Sequence, residues 1–198
     1  WRAPVVGGKY IGFGDVAWGH ASAYSCFALA DWQTGLQVAE VYGRLEHDEY
    51  AQAIADLTTR YNKAYFSVEA NGETVERSGL NVINKLIVLG LGDRMYHHGE
   101  NWKDDERQRG WLTTGVTRPV MLGELEEAVR LRGIVPMCRD AVGEMLSTIR
   151  NEKGRVEAAS GAYFDHVMAW AGLWQMRKEA RWSLGANGGK PIHVPRRW

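Results

Sequence analysis

Cysteine is scarce in this sequence, and an excess of charge of either sign is absent. Only two of the 198 residues are cysteine, Cys26 and Cys138, and both sit in apolar stretches. Two are too few for a disulfide scaffold, so buried free thiols in a reducing compartment are expected. Neither CxxC nor HExxH occurs, and the adjacent pair His97 and His98 is ill suited to a zinc site on one helical face. Twenty-four Lys and Arg balance twenty-four Asp and Glu. With zero net charge, any nucleic-acid surface has to be local. No apolar run reaches membrane-spanning length, no secretion signal opens the sequence, and the first residue is Trp rather than Met, as in a fragment of a longer chain. No internal repeat is visible, and no interdomain linker appears before residue 184.

What is present is a core and a set of acids at its edges. Hydrophobic residues make up 45% of the chain, enough for one substantial α/β domain. That domain is assigned to residues 1–184, followed by a basic tail over 185–198. Asp15 ends the apolar run Tyr10-Ile11-Gly12-Phe13-Gly14, Glu69 ends Ala64-Tyr65-Phe66-Ser67-Val68, and Asp165 opens a long apolar stretch through Leu173. A carboxylate at the tip of a core element is costly unless something offsets its charge. Three of them suggest an oxygen-lined site for hard divalent cations.

The patterning predicts an antiparallel meander of three strands over 9–18, 22–31 and 36–45, with Gly35 in the second turn. Helical spacing of Tyr50, Ile54, Leu57 and Tyr61 predicts a helix over 47–61. A fourth strand is expected at 64–69, a helix at 74–89 and a short fifth strand at 93–97. The polar stretch 99–110 reads as a loop or lid. Thr117 is expected to cap a helix running to about 132, with Leu122, Leu125 and Val129 inward. Further elements are a helix at 140–149, a strand at 155–159 and a final helix from Asp165 to Ser183. Alternation puts Ile11, Phe13 and Asp15 on one face and Tyr65, Ser67 and Glu69 on another. If these strands are neighbours, Asp15 and Glu69 meet at their carboxyl ends. The order β-β-β-α-β-α-β, then helices, reads as an RNase H-like mixed sheet, a meander plus parallel strands flanked by helices.

The chain also resembles the nuclease domain of tailed-phage terminase large subunits, the DNA-packaging motors, over residues 9–176. Four ordered pieces carry the resemblance: Tyr10 to Asp15, Val68-Glu69-Ala70-Asn71-Gly72, Gly110 to Thr114 with Thr117-Arg118 leading to Met121-Leu122, and Asp165-His166-Val167-Met168-Ala169. It departs from the family at Phe164, where a second acid often precedes the third motif. It also lacks a P-loop, since Gly185-Ala186-Asn187-Gly188-Gly189-Lys190-Pro191 has the wrong spacing. The resemblance implies a two-metal-ion endodeoxyribonuclease that cuts double-stranded concatemeric DNA with little sequence preference. It also implies an ATPase domain and a portal protein as partners, and the cytoplasm of the infected bacterium as location.

In this reading Asp15 bridges two Mg2+ or Mn2+ ions, and Glu69 and Asp165 bind one each. Each acid also has an ordinary structural role open to it, and Asp165 in particular suits a helix N-cap. Lys9, Arg44, Lys103, Arg107, Arg109, His166 and the tail are candidate phosphate contacts, and His166 also suits a core position. Trp18 and Trp102 are candidates for DNA contact, whereas Trp170 and Trp174, four apart on the last helix, read as core. Gly12 and Gly14 are read as points of close backbone approach beside the metals. Another RNase H-like nuclease (junction resolvase or ribonuclease H) is an alternative, as is a non-catalytic docking module for the motor. The isolated domain is expected to be a monomer.

Overall fold

The computed structural model describes residues 2–17, 24–71, 78–97 and 109–180. Its centre is a four-stranded mixed sheet in the order β3-β2-β1-β4, built from β1 (Tyr10–Asp15), β2 (Ser25–Asp31), β3 (Gln37–Gly43) and β4 (Tyr65–Val68). The first three strands form the antiparallel meander, and β4 joins β1 in parallel. That parallel pair needs a crossover, which α1 (His47–Arg60) supplies.

Strand alternation divides the core into two layers. Tyr10, Phe27, Leu29, Phe66 and Val68 point to the face covered by α1 and α2 (Ser78–Val88). Ile11, Phe13, Cys26, Ala28 and Ala30 point to the face covered by α5 (Asp165–Glu179). α5 is buried nearly all round, because α3 (Thr117–Arg130) packs on its far side and α4 (Arg139–Leu146) meets it as well. A helix enclosed in this way has to be apolar all round rather than amphipathic, and Trp170, fully buried, sits at its middle. Trp174 packs partly buried against the same cluster. A short hairpin, β5 (Thr148–Arg150) with β6 (Val156–Ala158), follows α4.

Several expectations change. Residues 93–97 form no regular strand: a 3-10 turn covers Gly92–Arg94, and Met95 makes a single parallel bridge to Phe66. α4 stops at Leu146, and the rest of its expected span is the first strand of the hairpin. Thr117 is not the cap of α3 but its first residue. The Thr114 hydroxyl accepts the Thr117 N–H (3.0 Å), so Thr114 takes the capping role. Val129 is exposed, and Met121 and Ala128 take the inward positions beside Leu122 and Leu125. α5 ends at Glu179 rather than Ser183. The 99–110 loop, apart from Arg109 and Gly110, and the tail fall outside the described residues, as do Trp18 and Trp102.

The seating of α5 on β1 rests on Gly172. A Cβ there would overlap the ring of Phe13. Gly172→Ala is therefore expected to cost about 1–3 kcal/mol through overpacking. Gly123→Ala, on α3 with open space around it, should add about 0.4–1 kcal/mol instead. Urea unfolding of both variants checks this, and equal effects would mean that α5 does not lie against β1 in this way.

Candidate active site

Register brings the first two acids together. Gly14 pairs with Val68 across the parallel strands, and the Glu69 N–H donates to the Gly14 carbonyl at 2.8 Å. Asp15 and Glu69 therefore leave the same end of the sheet on the same face, the one under α5. The first residue of α5 is Asp165, so the third acid enters from above. The Asp15 carboxyl is pushed well above the usual carboxylate range by burial first, then by the charge of Glu69 and a hydrogen bond with it, then by Asp165 and Glu144. Asp165 is raised to about 6, by burial and then by Glu144, against a downward pull from His166. Asp15 is thus within electrostatic reach of Glu69, Asp165 and Glu144. Among the described residues, no lysine or arginine forms an ion pair with Asp15, Glu69, Asp165 or Glu144.

Glu69 is nearly buried, at 8% exposure, and is held from two sides. Its backbone is bridged to Trp111, with Ala70 N–H donating to the Trp111 carbonyl (2.8 Å) and Trp111 N–H to that of Val68 (2.9 Å). The Asn71 side chain ties the carboxyl down. Its amide donates to Glu69 Oε1 (2.9 Å) and the Thr113 carbonyl (2.6 Å), and its Oδ1 accepts the Thr113 N–H (3.0 Å). The Asn71 of the second motif is therefore a brace and not only a turn residue.

Glu144 was not legible as a site residue. It lies on the inward face of α4, three residues after buried Ala141. A charged residue at an inward helical position is the signal that could have exposed it. Its carboxylate accepts the His166 N–H (2.9 Å) and lies 2.6 Å from His166 Nδ1. His166 is fully buried, its ring tilted 34° against that of Tyr42 at 4.2 Å, with Nε2 3.4 Å from Glu40 Oε1. Burial opposes its charge, but the hydrogen bonds and charges of Glu144 and Glu40 outweigh it and raise its pKa to about 9. The expected phosphate contact from His166 is corrected accordingly: the ring lies inside, between two carboxylates, and has no path to a DNA backbone.

Among the described residues, the group whose possible ligand atoms all lie within 4.8 Å of one another is Cys26, Glu40 and His166, directly beneath the acids. Its Glu40 carboxylate already meets the His166 ring. His166 answers the two glutamates, and burial together with the acid charges pushes the Cys26 thiol up, so it stays protonated. Both Cys26 and Cys138 are free.

Comparison with known proteins bears on the fold. No protein-family model and no curated protein matches the sequence. Solved structures do. The large terminase nuclease of the thermophilic phage G20c with bound cobalt aligns at TM-score 0.66 and 14% identity, over 88% of this chain and 84% of its own. The same nuclease with bound magnesium gives 0.62 and 15%, over 84% and 81%. The large terminase nuclease domain of Thermus phage P74-26 gives 0.60 and 16%, over 87% and 82%. This chain has the fold of the phage large terminase nucleases.

Within that terminase-nuclease fold the expected basic contacts scatter. Arg44 follows β3, at the same end of the sheet as Asp15, and lies over the Tyr24 ring at 4.8 Å. Tyr24 stacks in turn on Tyr42 at 4.9 Å, so Arg44 reaches the rim of the site. Lys9 precedes β1 and sits at its opposite end, about 20 Å away along the strand. Arg109 bridges to His97 and lays its guanidinium against Gly92. Lys103 and Arg107 lie outside the described residues. Gly12 and Gly14 turn away from the acids: a Cβ on either would meet Phe27, and one on Gly14 would also lie 2.9 Å from the Tyr50 hydroxyl. Their role is to admit aromatic rings on the opposite face, not to approach metals.

The crowding of acids fixes the sign of a pH effect. Asp165 has a folded value of about 6 against an ordinary 3.8, so its native state holds the proton more tightly than the unfolded chain does. The stability it lends is present below about pH 4 and lost as pH rises through 6. In chelator, the parent should lose stability relative to Asp165→Asn across that window in urea unfolding. A parent that gains on the variant would contradict the placement of Asp165.

Proposed function

We propose that this chain is a divalent-metal-dependent endonuclease that cuts double-stranded DNA during phage genome packaging. The observation that carries the reading is the convergence of Asp15, Glu69 and Asp165, acids separated by most of the sequence, with no cationic side chain between them among the described residues. Carboxylate oxygens suit hard cations such as Mg2+ and Mn2+. The raised carboxyls fit such a use, because their mutual repulsion is what a cation relieves.

Asp15, central to the three, would bridge the ions, and Glu69 and Asp165 would each hold one. Bound there, divalent cations would supply an activated water and charge stabilisation for the leaving 3′-oxygen. Asn71 keeps Glu69 in place, and Glu144, both of whose oxygens are engaged with the start of α5, supports the site without entering it. Arg44, at the rim, would contact phosphate without reading bases, in keeping with low sequence preference. No helix among the described residues is long and apolar enough to cross a membrane. In this reading the domain works in the host cytoplasm beside the motor's ATPase domain and the portal. The solved neighbours support it, being large terminase nucleases, one with bound magnesium.

Supercoiled plasmid with Mn2+ or Mg2+ should be nicked and linearised by the parent, spared in chelator, and spared by Asp15→Ala. A folded parent inert with both metals would sink the reading. Asp15→Asn should melt higher than the parent in chelator, because one crowded acid is gone, and should lose the upward shift that Mn2+ gives the parent. Asn71→Ala should keep its stability in chelator and lose about 10–100-fold in metal affinity or activity. Unchanged Mn2+ titration would remove Asn71 from its bracing role.

A further inference from the structure

α5 begins without a cap of its own. Phe164, at the cap position, offers no side-chain hydrogen bond. The first turn of a helix leaves backbone N–H groups unsatisfied unless a side chain takes them. Here the acceptor comes from another helix. Glu144 Oε2 takes the N–H of His166 (2.9 Å) and lies 3.4 Å from that of Val167, while Oε1 meets His166 Nδ1 at 2.6 Å. The other side of the His166 ring faces Glu40 of β3 and lies against Tyr42 of the same strand. The turn that carries Asp165 is thereby pinned to α4 on one side and to the sheet that carries Asp15 on the other.

We propose that Glu144 and His166 are positioning residues that set Asp165 against Asp15 and Glu69. This rests on the proposed metal site but assigns it two residues that are not ligands. A carboxylate capping from a neighbouring helix is stronger than a neutral cap, because it also meets the positive end of the α5 dipole. It is also more restrictive, since two directions are fixed at once. The backbone bonds set the height of the helix, and the ring bond sets its rotation. Asp165 precedes His166, so either slip displaces its carboxyl.

Direct Mn2+ binding, followed by the electron paramagnetic resonance of the free ion, tests this on the intact chain. Glu144→Gln keeps the shape but replaces one acceptor oxygen with a donor. It is expected to bind Mn2+ about 10–100-fold more weakly, the effect typical of residues that orient metal ligands, with the KM for plasmid unchanged and kcat reduced. Amide exchange at His166 and Val167 should quicken in the metal-free variant. His166→Asn, whose amide can replace the Nδ1 donor, should retain most of the affinity that His166→Ala loses. A folded Glu144→Gln with Mn2+ affinity and exchange within twofold of the parent would overturn the inference. So would equal affinity of the two His166 variants. Asp15→Asn serves as the reference: unchanged Mn2+ binding there overturns the metal-site reading, and this inference with it. Lost binding in Asp15→Asn beside normal binding in Glu144→Gln overturns this inference alone.

Discussion

Mutual repulsion among four carboxyl groups at one end of the sheet is the constraint around which the rest of this structure is arranged. Nothing in the hydrophobic effect brings Asp15, Glu69 and Asp165 together, and their charges oppose it. They meet because elements with large apolar faces carry them there. β1 and β4 pair in parallel with Gly14 opposite Val68, and α5 lies buried between the sheet and α3. Each acid lies at the end of an element whose body is core, or one residue beyond it. Burial of residues such as Phe13 and Trp170 therefore supplies the free energy that holds the acids close. A buried phenylalanine contributes about 1.5–3 kcal/mol, so a few core residues are enough to outweigh a raised carboxyl or two.

The parts of this arrangement that could be read from sequence are those set by period. The meander, the helix over 47–60 and the inward positions Leu122 and Leu125 follow from alternation and helical spacing, which depend on local burial alone. The positions of Asp15 and Glu69 on their strands were legible for the same reason, and their meeting needed only the assumption that β1 and β4 are neighbours. What failed was set by partners distant in sequence. Val129 has an apolar side chain at a helical spacing, yet Ala128 faces α5 instead. Met95 adds to the sheet by one bridge, because the 3-10 turn before it leaves no room for a regular strand. Gly12 and Gly14 lie in the same strand as Asp15, but a strand has two faces, and which ring needs the space cannot be known without Phe27 in place.

Glu144 and His166 show the harder limit. Each alone is unremarkable: a glutamate on a short helix and a histidine after an aspartate. Their importance lies in being buried together, with Glu40 behind them. A buried charged triad costs desolvation and is no evidence of net stability. Its presence beneath a cluster of acids is more economically explained by geometry. It supplies one positive charge close to a site crowded with carboxyl groups, and it ties the α5 terminus to two other elements.

The departure at Phe164 acquires a physical meaning in this light. A second acid preceding Asp165 would add negative charge at the helix start, next to the groups already raised. Here that position is aromatic. Phe164 packs against the core, and the Arg118 guanidinium lies over its ring at 5.3 Å while bonding the Val156 carbonyl at 3.1 Å. Glu144, on α4, adds a carboxylate nearby, and both of its oxygens face the start of α5. A carboxylate so engaged has little freedom left to bind a cation. A cap supplied from α4 meets the first N–H groups of α5, which Phe164, with no side-chain hydrogen bond to offer, leaves open.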